Sequence, residues 1–217
     1  MRSIDRFLDR RDAGRRLARR LIAYAGRDDV VVLALPRGGV PVGFEVAQAL
    51  DAPLDVFLVR KLGVPGHAEL AMGAIASGGA RIVNADVVDE LAIAPDVIDR
   101  VAAQETIELE RRERLYRGGR SLPALEQQTV VLVDDGLATG ATMEAAIAAV
   151  RQLRAARIVA AAPVGARESC GRLAAVADEM VCAETPMFFN AVGQWYETFD
   201  QTTDDEVIDL LAAAARR

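Results

Sequence analysis

The apolar residues of this chain fall into short unbroken runs separated by longer mixed segments. Val30-Val31-Val32-Leu33-Ala34-Leu35 is apolar throughout, as are Val130-Val131-Leu132-Val133 and nearly all of Arg157 to Val164. Runs of this length without polar alternation predict strands covered on both faces, as in a parallel sheet. Leu54 to Val59 and Glu179 to Ala183 read as further strands. Between the strands the period changes, and Val42 to Leu50, Met143 to Val150 and Glu168 to Ala177 read as helices. Four or five apolar strands separated by helices predict an α/β fold with a parallel sheet.

Other segments break that alternation. Residues 4–25 read as a basic amphipathic helix, with Phe7, Leu8, Ala13, Leu17, Leu21 and Tyr24 mainly on one face. Its acidic residues Asp5, Asp9 and Asp12 dilute the arginines, so a packed surface helix is expected rather than a membrane-binding one. Ala71–Ala76 and Ala80–Asn84, joined by Ser77-Gly78-Gly79, read as a hairpin with a glycine turn. Residues 86–92 read as a short helix. Pro95 opens a long charged helix to about Arg117, either a solvated face laced with ion pairs or a dimer surface. Pro186 to Phe199 carries the only Trp and three of the six Phe. A last helix starts at Asp204-Asp205-Glu206, where acidic residues suit the helix dipole.

The chemistry gathers at the ends of the apolar runs. After Val133 come Asp134 and Asp135, then Gly136-Leu137-Ala138-Thr139-Gly140-Ala141-Thr142 and a helix. Ligands of open α/β sheets bind at the carboxyl ends of strands. A helix N-terminus offers unpaired N–H groups to a phosphate, and Thr139 and Thr142 add hydroxyl donors. Two carboxylates cannot hold a phosphate, but they accept hydrogen bonds from a vicinal diol such as a ribose. The first apolar run likewise ends in Pro36-Arg37-Gly38-Gly39, a guanidinium and glycine backbone suited to an anion. Gly-Lys-Ser/Thr of a Walker loop and the Gly-x-Gly-x-x-Gly spacing are both absent.

Val130 to Thr142 resembles the phosphoribosyl-diphosphate (PRPP) signature of the type I phosphoribosyltransferases: four apolar residues, two acidic ones, a short step, then Thr-Gly-x-Thr. The resemblance covers about Val30 to Ala183. It implies a single domain over 1–217, built on a mainly parallel five-stranded sheet flanked by helices, with a β-hairpin flap and a C-terminal hood at about 185–200. It also implies displacement of pyrophosphate from PRPP at the anomeric carbon by a nitrogen acceptor. Asp134 and Asp135 would hold the ribose hydroxyls and Ala138, Thr139, Gly140, Ala141 and Thr142 the 5′-phosphate, with Gly136 also among the PRPP-binding residues. Arg37, Gly38 and Gly39 would hold the pyrophosphate, in a loop where the family often has a non-proline cis peptide. Mg²⁺ would be held through PRPP near the acidic pair.

Arg60-Lys61-Leu62-Gly63, with Pro65 and Gly66 after it, falls where the family has a mobile lid, within a lid and flap at about 60–84. Arg60 and Lys61 would neutralise the departing pyrophosphate while the lid excludes water. His67 in the same loop reads as a bystander or as an acid or base. Trp195, Tyr196 and Phe189 would stack a planar acceptor. The 6-oxopurine members carry a third carboxylate where this chain has Ala138, and a later lysine, while no Lys follows position 61. A hypoxanthine/guanine acceptor is therefore not expected. The rival reading is a regulatory protein of this fold that binds PRPP or a nucleotide without transfer.

Composition trims these readings. At 217 residues and 52% hydrophobic, the chain has ample core for one domain, and it has no apolar run long enough to span a bilayer. A net charge of −6 gives no bulk attraction to nucleic acid. Cys170 and Cys182 follow no metal spacing, so free thiols in a reducing cytosol are expected. The first residues lack an apolar signal-peptide core. A cytoplasmic homodimer is the expectation. Lys61 and His67 are the only residues of their types.

Overall fold

The computed structural model describes residues 6–216, with the backbone alone at Ala68 and Glu69. The chain opens with α1 (Arg10–Arg20), β1 (Val30–Ala34), α2 (Gly39–Leu50) and β2 (Leu54–Val56). It then builds β3 (Val59–Val64), β4 (His67–Ala76) and β5 (Arg81–Val83), followed by α3 (Ala85–Glu90) and α4 (Pro95–Arg117). Next come β6 (Thr129–Val133), α5 (Ala141–Gln152), β7 (Arg157–Val164), α6 (Arg167–Ala174), β8 (Glu179–Glu184) and α7 (Asp204–Ala214).

Five strands form one parallel sheet in the order β2-β1-β6-β7-β8. Every residue of β1 and β6 is buried, as their unbroken apolar sequences require. Their side chains alternate between two layers. Val31, Leu33, Val130 and Leu132 pack with Met143 and Ile147 of α5. Val30, Val32, Val131 and Val133 share the other layer with Leu17 of α1, Leu21 and α2 residues Val42, Val46 and Leu50. From β1 the chain moves outward to β2, and from β6 it moves the other way through β7 to β8. The neighbours β1 and β6 therefore flank the topological switch point, whose carboxyl-end crevice is where α/β sheets bind ligands.

The remaining strands form a separate antiparallel sheet, β3-β4-β5. Leu54 to Val59 is not one strand: β2 stops at Val56, and Val59 already belongs to β3. The expected lid loop is thus largely a hairpin, turning at Pro65-Gly66 with Gly66 at φ 82°. Polar Arg60 and Lys61 disguise the strand, whose apolar contribution comes from Leu62 and Val64 packing with Ile98, Ala102 and Leu109 of α4.

One buried guanidinium ties this flap to the sheet. Arg117, whose side chain is 3% exposed, pairs with Asp55 of β2 and Glu113 of α4. It also donates to the Val56 carbonyl and to Ser77 at the flap's base.

The N-terminal helix is shorter than expected. Asp9 caps it by accepting from the Asp12 N–H, so α1 starts at Arg10. Phe7 lies outside the helix, paired with Tyr196, and Leu8 is exposed. Ile4 and Asp5, where the helix was expected to begin, lie outside the described residues. No described helix is long and apolar enough to cross a membrane.

Candidate active site

Two loops meet at the switch point, and glycine is what lets them meet. The Pro36–Arg37 peptide is cis, and α2 starts directly after it at Gly39. Neither Gly38 nor Gly39 has a positive φ, so their role is space. A methyl on Gly38 would lie 2.6 Å from Asp135 Cγ, and one on Gly39 would lie 3.0 Å from Asp134 Cα. The Gly39 N–H is already committed to the Leu35 carbonyl, at 3.1 Å. The glycine pair thus seats the acidic pair against the loop, a role distinct from the anion contact expected of Gly39.

Asp134 Oδ1 accepts from the Asp135 N–H at 2.8 Å. Burial, and next the charge of Asp135, push Asp134 well above the usual carboxylate range. Burial raises Asp135 too, against the opposing guanidinium of Arg10, whose Nε donates to Asp135 Oδ2 at 2.8 Å. Coupled in this way, the pair favours one shared proton, resting mainly on the deeper Asp134.

The loop from Gly136 to Gly140 then turns into α5. Gly140 sits at φ 72° and caps the helix without a side chain, while the Ala141 N–H donates to the Thr139 hydroxyl at 3.4 Å. The loop's carbonyls are drawn to the opposite side. Ser169 Oγ donates to the Ala138 carbonyl and Arg172 Nη2 to the Thr139 carbonyl, both at 2.6 Å. With the oxygens held by α6, the amide face is the one presented to an anion. Thr139, Ala141 and Thr142 are all exposed there.

Arg37 extends from its loop toward Asp204 at the start of α7, at 3.7 Å. Tyr116 donates to the same carboxylate at 2.6 Å, and burial pushes its phenol up to about 12. Arg60 pairs with Glu105 of α4, its Nε at 2.7 Å. Together with Arg112 it lines a narrow cleft shared with Pro36 and Thr142. Lys61 is separated from it. Consecutive strand residues face opposite ways, so Arg60 looks to α4 while Lys61 is exposed on the other face. Arg60 and Lys61, expected to act together on the departing pyrophosphate, are adjacent residues of β3 on opposite faces of the flap. His67 begins β4 opposite Val64.

The hood also departs from expectation. Tyr196 is buried between Phe7 and Phe199, and its hydroxyl donates to the Asp135 carbonyl. Its ring supports the acidic loop and is closed to an acceptor. Phe189 and Trp195 pack beside the same cluster. Trp195 Nε1 is buried without a partner in the structure, while Phe188 and Met187 are exposed. Among the described residues no three His, Cys, Asp or Glu gather as a metal cage. A cavity of about 490 Å³ lies elsewhere, between the C-terminal ends of α2 and α7. Cys170 and Cys182 are free thiols with their sulfurs in contact at 2.6 Å.

Arg10, Ser169 and Arg172 were not singled out from sequence. Asp9-x-x-Asp12 is a capping pattern that would have started the helix at Arg10; nothing local marks the other two.

Comparison with known proteins gives consistent matches. A family model for the phosphoribosyl transferase domain matches residues 3–197. Two curated Mycobacterium tuberculosis proteins, from strains CDC 1551 / Oshkosh and ATCC 25618 / H37Rv, are provisionally named phosphoribosyl transferases. Each is 51% identical over 210 residues, covering 97% of this chain and 47% of its own length. The chain therefore spans about half the length of these relatives. The crystal structure of TT1426 from Thermus thermophilus superposes with TM-score 0.85 at 44% identity, covering 96% of this chain and 98% of that one. A protein of Aquifex aeolicus shares the fold, with TM-score 0.50 at 13% identity over 85% of this chain and 78% of its own.

Proposed function

Because the chain belongs to the phosphoribosyl transferase domain family, we propose that it transfers phosphoribosyl from PRPP to a nitrogen acceptor. The observation that carries this reading is the meeting of two loops at the β1/β6 switch point. One brings Arg37, and the other brings two carboxylates followed by an amide-lined turn into α5. An anion, a diol and a second anion fit that order, which is the layout of PRPP.

Asp134 and Asp135 take the ribose hydroxyls, and the Ala138–Thr142 turn takes the 5′-phosphate. Arg37 faces the pyrophosphate. Arg60 joins it from the flap by exchanging Glu105 for the incoming anion, a swap between two charge-assisted pairs. The acceptor nitrogen forms its bond to the anomeric carbon as the carbon–oxygen bond to pyrophosphate breaks, and its N–H proton is released. Charge builds on the leaving oxygens, which Arg37 and Arg60 stabilise. Hard oxygen donors at Asp134 and Asp135 suit Mg²⁺ entering with its diphosphate ligand, and they are too few to cage it alone. When bound, that ion neutralises pyrophosphate charge. On the acceptor side the hood offers the exposed Phe188 ring. Ala138 in place of a carboxylate argues against a 6-oxopurine.

The test is pyrophosphate release from PRPP and Mg²⁺ with purines, pyrimidines and small amines offered singly, and Asp135→Asn as control. Release that needs one acceptor and falls in the variant supports the transferase and names the acceptor. Binding of PRPP without release under any acceptor favours a regulatory binder. Absence of PRPP binding overturns the proposal.

A further inference from the structure

Cys170 and Cys182 take no part in the proposed transfer, yet the fold brings them together. Cys170 lies on α6 and is 8% exposed. Cys182 follows twelve positions later on the edge strand β8, half-buried like every residue of that strand. Their sulfurs are in contact. Two small apolar residues would fill this part of the core as well, but packing alone does not require two sulfurs aimed at one point. Gly165 makes room for that point. A methyl there would lie 2.5 Å from Cys170 Sγ and 3.0 Å from Cys182 Sγ. The same point lies directly behind the loop that follows the acidic pair. The Leu137 N–H donates to the Val164 carbonyl and the Ala166 N–H to the Leu137 carbonyl, stitching that loop to the turn at Gly165. Ser169, beside Cys170, and Arg172, two residues on, hold the Ala138 and Thr139 carbonyls.

We propose that Cys170 and Cys182 form a redox modification site, a dithiol that hydrogen peroxide closes to an intramolecular disulfide, clamping α6 to β8 behind this loop. The Cys170 thiolate attacks one peroxide oxygen, the O–O bond breaks, and the other oxygen takes up the thiol's released proton and leaves as water. The Cys182 sulfur then attacks the sulfur of the resulting sulfenic acid. The S–S bond forms as the S–O bond breaks, and the Cys182 proton leaves with the hydroxyl as a second water. The two thiols together give up two electrons, and the peroxide takes them. Cys170 is the better nucleophile, because an S–H bond from Cys182 lowers its thiol and the thiolate is the reactive form. A small oxidant suits a pair this enclosed. The site stands apart from the PRPP reading and does not depend on it.

The test treats the fully reduced chain with hydrogen peroxide and follows intact mass, free thiols and amide hydrogen exchange, with Cys170→Ser and Cys182→Ser alongside. The expected product is a single chain lighter by two hydrogens, with no free thiol, and restored by dithiothreitol. It should melt about 6–12 °C above the reduced protein, as closing so short a loop predicts. Exchange at the Leu137 and Ala166 amides should slow several-fold. Neither serine variant should gain melting temperature or protection. Sulfinic acid at either cysteine in place of the bond, a disulfide between two chains, or thiols that peroxide leaves untouched would each overturn the proposal. So would a disulfide that forms without raising the melting temperature or slowing exchange. Binding of PRPP by the reduced wild type decides the transferase reading separately and alters none of these results.

Discussion

The parallel sheet and the antiparallel flap are built from the same apolar residue types, yet they hold charge differently. In the central strands β1 and β6, buried on both faces, polar groups are confined to the strand ends, where the topology gathers them. In the flap, polar residues sit within β3 itself, and the pleat sends Arg60 and Lys61 apart. Position in the sheet is set by topology; position in the flap is set by register. A change at the sheet's end should therefore act through packing, and one in the flap through the face on which it lies.

The sharpest way to break this contrast is Gly38→Ala. Its new methyl would displace the Asp135 carboxylate and crowd the Arg10 Nε that holds it, 3.2 Å away, so PRPP affinity should fall on the order of 100-fold, with about 1–3 kcal/mol of stability lost. Near-normal binding by calorimetry would mean the loops meet less tightly than described. Next in size is the flap pair. Arg60→Ala should lower kcat/KM about 10–100-fold, and Lys61→Ala by less than about threefold. Equal losses from steady-state kinetics would mean the strand register does not persist when ligand binds.

A third expectation concerns Asp134. Its native proton is held more tightly than in the unfolded chain, where the carboxyl has its ordinary value of 3.8. As pH rises above that value the unfolded state loses its proton first, so stability falls across the window up to the raised native value. Asp134→Asn should remove that loss, raising the melting temperature by about 2–4 °C at pH 7 and leaving it unchanged near pH 3, below both values. Calorimetric scans at the two pH values would check it, and a gain of equal size at both would deny the burial argument. Activity should fall at the same time, as is common where a site is kept at the expense of stability. Smallest is Ser169→Ala, which removes the hydroxyl that holds the Ala138 carbonyl. About 1 kcal/mol of stability and a few-fold of phosphate affinity should be lost, readable by thermal melts and inorganic phosphate titration.

The difference between the two regions also decides what could be read from the chain. Val30–Ala34 and Val130–Val133 announce themselves, because burial on both faces leaves no polar position to confuse the pattern. The acidic pair and the Thr139–Thr142 turn were legible for the same reason: they follow such a run. The fold class followed from these, and the crevice at the switch point with it. Leu54 to Val59 misled because the boundary between two sheets falls inside one apolar stretch. Tyr196 misled because an aromatic near a site reads as a ligand platform until its hydroxyl is seen on the Asp135 carbonyl. Arg10 lies 125 positions from its partner, and nothing in a local pattern carries that distance. Ser169 and Arg172 were hidden likewise, since a helix that holds another loop's carbonyls looks like any other helix.

Arg117 bears on how the flap can move. With its guanidinium shared among Asp55, Glu113, the Val56 carbonyl and Ser77, it acts as a rivet at the hinge end of a lever. Pulling it loose would strand a buried charge, at a cost of about 3–5 kcal/mol, so the flap has a fulcrum that thermal motion seldom slips. A flap that moves as a lid is therefore expected to travel most at its far tip, around Pro65-Gly66, and least where Ser77 meets the sheet; hydrogen exchange no faster at Gly66 than at Ser77 would count against such a lever.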